Sequence, residues 1–439
     1  MNKVTADGST IAGSVNIEAV VITNHKGDFK DIKNLVTNMT LTESLYSPHI
    51  EVRFSIRDES NFFELFELSG NERIILELSQ TAIGSDIEVK TSLTLYVIDY
   101  PAYSRNSDGQ SHSYSIVAVS KIKYLSDLKL ISRAFRKSAI DEVRDIITAD
   151  LGDTLVVQGE SSVKYSGIIP WTAPLDAAIG VTNVITDSNS APFFLFQVIN
   201  NGIIYLRSYS DMINKDPYHT YYDKTFFEEG EKGTVAGEAE KQYTLKELNS
   251  FLGLRRVESA KNGAYASTNR FFDLSTRTFK RKVFNYEKSY EEGLYLSGVK
   301  NNYNNFSPTG DKVSYSNNAR GVQNNSLRNR YNFNGKQNQN DIEAKHGDTL
   351  DSFMANINTV SHEMKVNGDL LLNPGRVVML EMPKPTDFSS YRRYTGDDGE
   401  NVDRVFSRKY LVTTVIHRID NVSGGYESIA KLITDSIKI

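Results

Sequence analysis

Seven histidines are the residues of this chain best suited to metal binding and proton transfer. They are His25, His49, His112, His219, His346, His362 and His417. A zinc protease carries two histidines four residues apart on one helical face, and a glutamate beside the first activates water. His362-Glu363 begins like that motif, but position 366, where the second histidine would lie, is Val. We therefore predict no metal site and interpret His362 and Glu363 as solvated helix residues.

Carboxylates offer a second kind of chemistry, since glycosidases need only two of them across a cleft. The segment FFEEGEKG contains Glu228, Glu229 and Glu231, which we interpret as a solvated acidic loop. No nucleophile elbow, phosphate-binding loop or dinucleotide fingerprint occurs in the sequence. We predict no catalytic, cofactor-binding or metal-binding residues, no cofactor and no enzymatic activity.

One stretch imitates a glycan-binding module. KHGDTLDSFMANI, from Lys345 to Ile357, followed by NGDLLLNPGRVVML, is similar to the peptidoglycan-binding LysM module. LysM modules carry an apolar strand before the glycine and a longer second helix, whereas NDIEAK precedes the glycine here. Because of the likeness, a protein that binds or cleaves peptidoglycan is an alternative interpretation of the sequence.

The composition limits what the chain can be. Its 439 residues suffice for about two to four domains, and its 10% aromatic residues favour strands, because flat side chains pack well on a sheet. It has no cysteine, which excludes disulfides, thiolate metal sites and cysteine nucleophiles. The net charge of −5 opposes general DNA binding. No stretch resembles a signal peptide or a membrane span, so we expect neither export by that route nor membrane insertion.

The elements that would position any functional residue begin with strands. Apolar residues alternate strictly from Ile50 to Ile56, which is the period of a strand with one face towards a core. Similar runs follow at Ile74–Leu78, Ser92–Ile98 and Tyr114–Val119. This spacing predicts an antiparallel sandwich or barrel.

A helical region follows near Leu125. Four apolar residues of the segment SDLKLISRAFRKSAIDEVRDIITADLG share one helical face, and Gly152 ends the run. They are Ile140, Val143, Ile146 and Ile147. The pattern predicts an amphipathic helix that opens a second region of the chain.

A second helix is predicted after the only tryptophan. Thr172 can cap it, Pro174 suits its first turn, and Leu175, Ile179 and Thr182 line one face. Pro192 ends that stretch, and the Asn-Gly step of Asn200-Asn201-Gly202 predicts a tight hairpin between Phe193–Ile199 and Ile203–Tyr209. We expect Trp171 to pack on the root of this hairpin, where its replacement by Ala would cost about 3 to 5 kcal/mol.

The segment 300–341 is rich in Asn and can bury little apolar area. It is either a weakly ordered insertion or an arm that becomes ordered on a partner. A helix-like stretch, GDTLDSFMANINTVSHEMKV, follows it. The chain then ends in strands at Arg376–Leu380, Lys409–Arg418 and Tyr426–Ile433, with a charged loop at 383–405.

The two ends of the chain contain the same three elements in the same order. Gly70 leads into ERIILEL, LYVID and SYSIVAVS, and Pro374-Gly375 leads into RVVMLEM, TTVIH and YESIAKLI. Any two antiparallel barrels share such patterns to some degree, but three elements in matching order favour a duplicated β unit.

Several blocks in the same order resemble the baseplate hub protein of contractile-tailed bacteriophages of the T-even type. TLTESLYS, IPWTAPLDAAIG, YSDMINKDPY, NGDLLLNPGRVVML and YLVTTVIHRID reach from the first strands to the C-terminal ones. The Asn-rich segment 300–341 and the loop 383–405 depart from that family's pattern.

The resemblance implies an α+β, mainly β fold with two tail-tube-like antiparallel β-barrels around a helical α+β region. It divides the chain into a first barrel at 1–122, the middle domain at 123–215 and 276–358, and the second barrel at 216–275 and 359–439.

It also implies a homotrimer that joins a three-fold cell-puncturing spike to a six-fold tail tube. Further implied partners are tube-initiator proteins, surrounding baseplate wedge proteins and a tape measure protein, in a virion assembled in the bacterial cytoplasm. DNA would pass through a lumen with polar or acidic walls, without sequence-specific binding. The equivalent hub of a phage-derived contractile injection system, with protein as cargo, is a closely related alternative.

Overall fold

The computed structural model describes residues 12–81, 88–105, 111–161, 163–223, 241–253, 259, 265–273, 278–286, 288–289, 294–296, 305–306, 312–313, 348–383, 403 and 405–435. Over these residues the chain is mainly β with a few short helices, which confirms the mainly β class predicted from the sequence.

The first part of the chain is a group of antiparallel strands that we call the first strand unit. They are β1 Asn16–Thr23, β2 Phe29–Asp31, β3 Val36–Ser44, β4 Ser47–Asp58, β5 Arg73–Thr81, β6 Glu88–Asp99, β7 Tyr103–Arg105 and β8 His112–Ser120, with the short helix α1 at Phe62–Leu65. The strands are ordered β2-β1-β5-β6-β8-β4-β3, and β7 pairs with β8. All four strands predicted from alternation are confirmed.

The middle region follows with mixed elements. They are α2 Lys121–Asp127, β9 Ile131–Ser138, α3 Ala139–Asp145, a π-helical turn at Ile146–Asp150, β10 Leu155–Gln158, β11 Lys164–Thr172, α4 Pro174–Thr182, β12 Phe193–Gln197, β13 Ile204–Ser208 and α5 Tyr209–Ile213. The four apolar residues predicted on one helical face are all buried. The predicted helix begins late, because β9 takes its first residues into a ladder with β11.

The prediction for Trp171 is wrong. The hairpin of β12 and β13 forms as predicted, but Trp171 is 76% exposed. A β-bulge in β11 separates Ile169 from Thr172, and both Pro170 and Trp171 turn outwards there. Proline cannot donate a ladder hydrogen bond, so a bulge at this point is expected.

Helix α4 starts as predicted with Pro174 in its first turn, although Ala173, not Thr172, is its N-cap. Leu175 and Thr182 are buried and Ile179 is half-buried. The helix is therefore held by its own apolar face, while Trp171 takes no part in holding it.

The remaining strands lie in two separate parts of the chain. They are β14 Thr220–Asp223, β15 Thr244–Leu245, β16 Glu247–Leu252, β17 Ala266–Asp273, β18 Thr278–Asn285, β19 Asn305–Phe306 and β20 Lys312–Val313, followed by helix α6 Asp348–Asn356 and then β21 Val360–Asn367, β22 Val377–Glu381, β23 Arg408–Asp420 and β24 Gly425–Thr434. The hairpins β17–β18 and β19–β20 stand apart from the large sheet. Most of segment 300–341 and of loop 383–405 lies outside the described residues.

Seven of these strands form the second strand unit, in the order β15-β14-β22-β23-β24-β21-β16. Its strand β23 also pairs with β3, which joins both units into one 15-stranded sheet. The expected closure into barrels is not found among the described strands. Each unit instead packs on an apolar cluster, and the cluster of the first unit also includes Ile419 of β23 and Tyr426 of β24. Residues from β1, β3, β4, β5, β6 and β8 share one apolar cluster, and residues from β21 to β24 share another.

Candidate functional site

The two strand units repeat the same order of pairing. In the first unit the order is β5-β6-β8-β4-β3, and in the second it is β22-β23-β24-β21-β16. The three elements matched in the sequence lie on the equivalent strands β5 and β22, β6 and β23, and β8 and β24. The units differ at one side, where β1 pairs with β5 antiparallel but β14 pairs with β22 parallel.

A bulge marks the same position in both units. In the ladder of β6 with β8 the register shifts between Val97 and Asp99, and in the ladder of β23 with β24 it shifts between Val412 and Thr414. When the two ladders are aligned at the bulge, β16 is equivalent to β3 and Leu252 is equivalent to Glu43. Because a bulge inserts one unpaired residue, its recurrence at one place is a specific structural match.

The candidate functional site is the joint where β3 meets β23. The first residues of β23 pair with β22, and from Thr414 onwards the same edge pairs with β3. Thr413, the bulged residue, accepts a hydrogen bond from the Leu45 N–H at 2.6 Å. The joint therefore begins where the bulge turns β23 from one partner to the other.

A buried polar network lies inside this joint. Glu43 and His417 are both fully buried, with 3.5 Å between Oε1 of the carboxylate and Nε2 of the ring, which is longer than a normal hydrogen bond. The other carboxylate oxygen accepts the Ile199 N–H at 2.7 Å. The ring Nδ1 lies 2.7 Å from the Tyr426 hydroxyl and 3.2 Å from that of Ser428. The network thus ties β3, β23, β24 and the middle region together.

Burial governs the proton affinity of the groups in the joint. Desolvation raises the pKa of Glu43 above its ordinary value of 4.5, and it outweighs the opposing effects of the nearby His417 ring and the Ile199 N–H. Burial, followed by the charge of Asp369, raises the pKa of the Tyr426 hydroxyl well above 10. Both groups therefore favour their neutral forms, which a buried joint needs for stability.

Two glutamine side chains close the joint at one end. Gln80 and Gln242 both donate to the carbonyl of Gly368, at 2.8 and 2.9 Å. The amide oxygen of Gln80 accepts the Leu370 N–H at 2.8 Å. The loop between β21 and β22 is thereby fixed to the first strand unit by charge-free bonds.

His362 has a structural role. His362 lies buried on β21, not on a solvated helix as predicted, because the helix ends at Asn356 and the chain continues as a strand. Its ring bonds Ser250 at 2.8 Å and Tyr410 at 3.0 Å. Burial lowers its pKa to about 4, with a further contribution from Arg408.

The other sequence-predicted residues do not converge. In the described part of the chain, no three His, Asp or Glu side chains are grouped as a metal ion requires. His346 and the three glutamates of the acidic loop lie outside the described residues. The LysM-like stretch forms α6 and then leads into β21, which is paired on both edges by β16 and β24. No helix within the described ranges is long and apolar enough to cross a membrane.

Neither a scan of protein-family models nor a search of curated proteins finds a match to this sequence. Solved structures do match. The 43 kDa tail protein of prophage MuSo2 from Shewanella oneidensis is similar over 96% of this chain and 99% of its own, with a TM-score of 0.51 and 10% identity. A tail protein from Neisseria meningitidis is similar over 95% of this chain and 97% of its own, with a TM-score of 0.51 and 11% identity.

The chain has a tail-protein fold. The resemblance to phage tail proteins that the sequence blocks indicate is thereby confirmed at the level of the fold. Sequence reasoning found the repeat but missed the joint, since Glu43 and His417 carry no motif and are far apart in the chain.

Proposed function

We propose that the chain is the structural hub of a contractile phage tail, a homotrimer that adapts a three-fold spike to a six-fold tail tube. The tail-protein fold supports a tail component. The repeated order of strand pairing is the observation that carries the adaptor role. Three chains with two equivalent units each present six similar units around one axis, while the unrepeated middle region keeps three-fold symmetry.

The domain division follows the same logic. The first tube-like barrel comprises 1–122, the second comprises 216–275 and 359–439, and the middle domain comprises 123–215 and 276–358.

The partners follow from the two ends of such a ring. One end binds the trimeric spike, and the other binds the tail tube or its initiator. Baseplate wedge proteins surround the ring, and DNA passes through the lumen beside a tape measure protein. The net charge of −5 suits passage without binding, because an acidic protein repels the DNA backbone. The site of action is the virion baseplate.

The role is structural and needs no catalysis. The two histidines that are buried among the described residues both have polar neighbours within the sheet, His362 with Ser250 and Tyr410, and His417 with Tyr426. Such contacts fix strand positions, which a ring under mechanical load requires.

Light scattering tests the assembly directly. We expect a particle of three times the 49.4 kDa chain mass, and negative-stain images with six similar lobes around a hollow centre. A monomer at every concentration, with and without the purified spike protein, would contradict the proposal. A compact trimer without a central opening would also contradict it.

A further inference from the structure

The pairing of β3 with β23 inside one chain can be compared with the strand edges that could pair between chains. Strand β3 has two partners, β4 on one edge and β23 on the other. Its equivalent β16 pairs with β21 on one edge, and among the described strands nothing pairs with its other edge. Over the described residues, the second unit therefore has an open edge at the place where the first unit is joined.

The complementary edge is open in the first unit. The part of β23 that receives β3 corresponds to the end of β6 together with β7, because these residues face β8 as β23 faces β24. Within the described part of the chain, β7 pairs only with β8. Each chain thus carries, among its described strands, one open edge of each kind.

The exposed side chains on β16 match this interpretation. Leu252 is 52% exposed, whereas its equivalent Glu43 is fully buried in the internal joint. Phe251 is 59% exposed, and its equivalent Thr42 is half-buried under the pairing with β23. Two large apolar residues at the end of an edge strand favour pairing of its second edge with another strand.

The opposite edge shows the same contrast. Ile98, the bulged residue of β6, is 48% exposed, while its equivalent Thr413 is buried. Tyr103 is 54% exposed, while its equivalent His417 is fully buried. The residues that the internal joint covers on β23 are therefore the ones left uncovered on β6 and β7.

We propose that β16 of one copy pairs antiparallel with β7 of the next copy, in the register of β3 with β23. The register of the internal joint sets Thr40 opposite Arg418, so Asn249 of one copy lies opposite Ser104 of the next. Phe251 lies opposite Ala102 in the same way. This inference rests on the proposed trimeric hub and names the strands that hold it together.

The contact is head-to-tail, because the two edges belong to different units of the chain. Such an interface closes into a ring if the rotation from one copy to the next is a full turn divided by a whole number. In a trimer, three internal joints of β3 with β23 alternate with three joints of β16 with β7. All six joints then share one strand geometry, which makes six similar units out of three chains.

Cysteine cross-linking tests the pairing, since the chain has no cysteine of its own. Directly opposite residues of an antiparallel pair have their Cα atoms about 4.5 to 5.5 Å apart, which suits a disulfide. Asn249→Cys with Ser104→Cys in one chain should give, after oxidation, dimer and trimer bands on a non-reducing gel. Reductant should return them to monomer. Phe251→Cys with Ala102→Cys should behave alike.

The controls separate register from proximity. Asn249→Cys alone and Ser104→Cys alone should stay monomeric on the gel, because a head-to-tail contact needs both positions. Asn249→Cys with Tyr103→Cys shifts the pair by one residue and places the thiols on opposite faces, so it should cross-link at least tenfold more slowly. Equal rates for both registers would overturn the proposed pairing.

A second experiment uses assembly itself. Phe251→Lys with Leu252→Lys should weaken the trimer at least tenfold by light scattering, while Phe29→Lys, at a more exposed apolar residue on β2, should not. A trimer that forms without cross-links and is insensitive to both lysines would overturn the edge pairing alone. A chain that never forms a trimer would instead overturn the proposed function.

Discussion

Glu43 and His417 face each other inside the joint of the two strand units, fully buried and 3.5 Å apart. One belongs to β3 and the other to β23, and Ile199 of the middle region donates its N–H to the same carboxylate. A single side chain thus contacts all three parts of the molecule. Its protonation must therefore affect how firmly the parts are held.

The first prediction concerns pH. Because the pKa of Glu43 is raised, the folded chain keeps a proton there that the unfolded chain has already released above pH 4.5. The contribution of Glu43 to stability is present at low pH. It is lost as pH rises from 4.5 through the window that ends at the raised pKa of the folded chain. Glu43→Gln stays neutral and escapes this loss. Its free energy of unfolding, relative to wild type, should rise by about 1.4 kcal/mol per pH unit within the window.

Urea unfolding over a series of pH values that extends below and above 4.5 measures this difference. Glu18 provides a control of opposite sign, since the Ser79 hydrogen bond lowers its pKa. Its contribution is present above pH 4.5 and is lost as pH falls, so wild type should lose stability relative to Glu18→Gln in acid. If the difference in free energy of unfolding between Glu43→Gln and wild type did not change with pH, the pKa of the Glu43 carboxyl would not be raised.

The second prediction concerns Trp171. With its side chain 76% exposed, Trp171→Ala should change the free energy of unfolding by no more than about 0.5 kcal/mol. Its φ of 28° is in the left-handed region, so Trp171→Gly should be at least as stable as Trp171→Ala. Phe196→Ala, at a buried residue of the nearby hairpin, should cost about 3 to 5 kcal/mol.

Chemical denaturation of the dilute protein distinguishes these variants. A loss above about 2 kcal/mol for Trp171→Ala would indicate that the side chain is buried, as expected from the sequence, because truncation of a buried aromatic residue has a cost of that order.

The third prediction concerns a buried carboxylate in the middle region. Glu142 is fully buried and lies 2.8 Å from both Arg133 and Lys137. Glu142→Ala leaves two cations without their shared partner, so it should cost about 1 to 3 kcal/mol. Asp141→Ala removes an exposed pair with Arg144 and should cost at most about 0.5 kcal/mol. Thermal unfolding of the two neighbouring variants gives the comparison, and equal losses would contradict it.

Local patterns predicted the elements well. Alternation from Ile50 to Ile56 gave a true strand, and the helical spacing of Ile140 and Val143 gave a buried face. These signals are local, because a strand or helix repeats its burial within a few residues. The repeat was also visible, since equivalent strands need similar apolar runs.

Long-range features were not predictable in the same way. Trp171 looked like a core residue, but the bulge that turns it outwards depends on its pairing with β9. His362 looked solvated because the preceding helix was extended too far. Each error concerns register or a boundary, which tertiary pairing decides.

The position of the long connection between β16 and β21 orders the folding of the chain. In the first unit a two-residue turn at Leu45 and Tyr46 joins the equivalent strands β3 and β4, so their pairing needs only neighbouring residues. In the second unit β16 must wait for β21, which is synthesised more than a hundred residues later. Pairing between distant segments is slow, and chains fold from the N-terminus during synthesis. The first unit is thus complete, with β3 presented, before the ribosome has released the strand that docks on it.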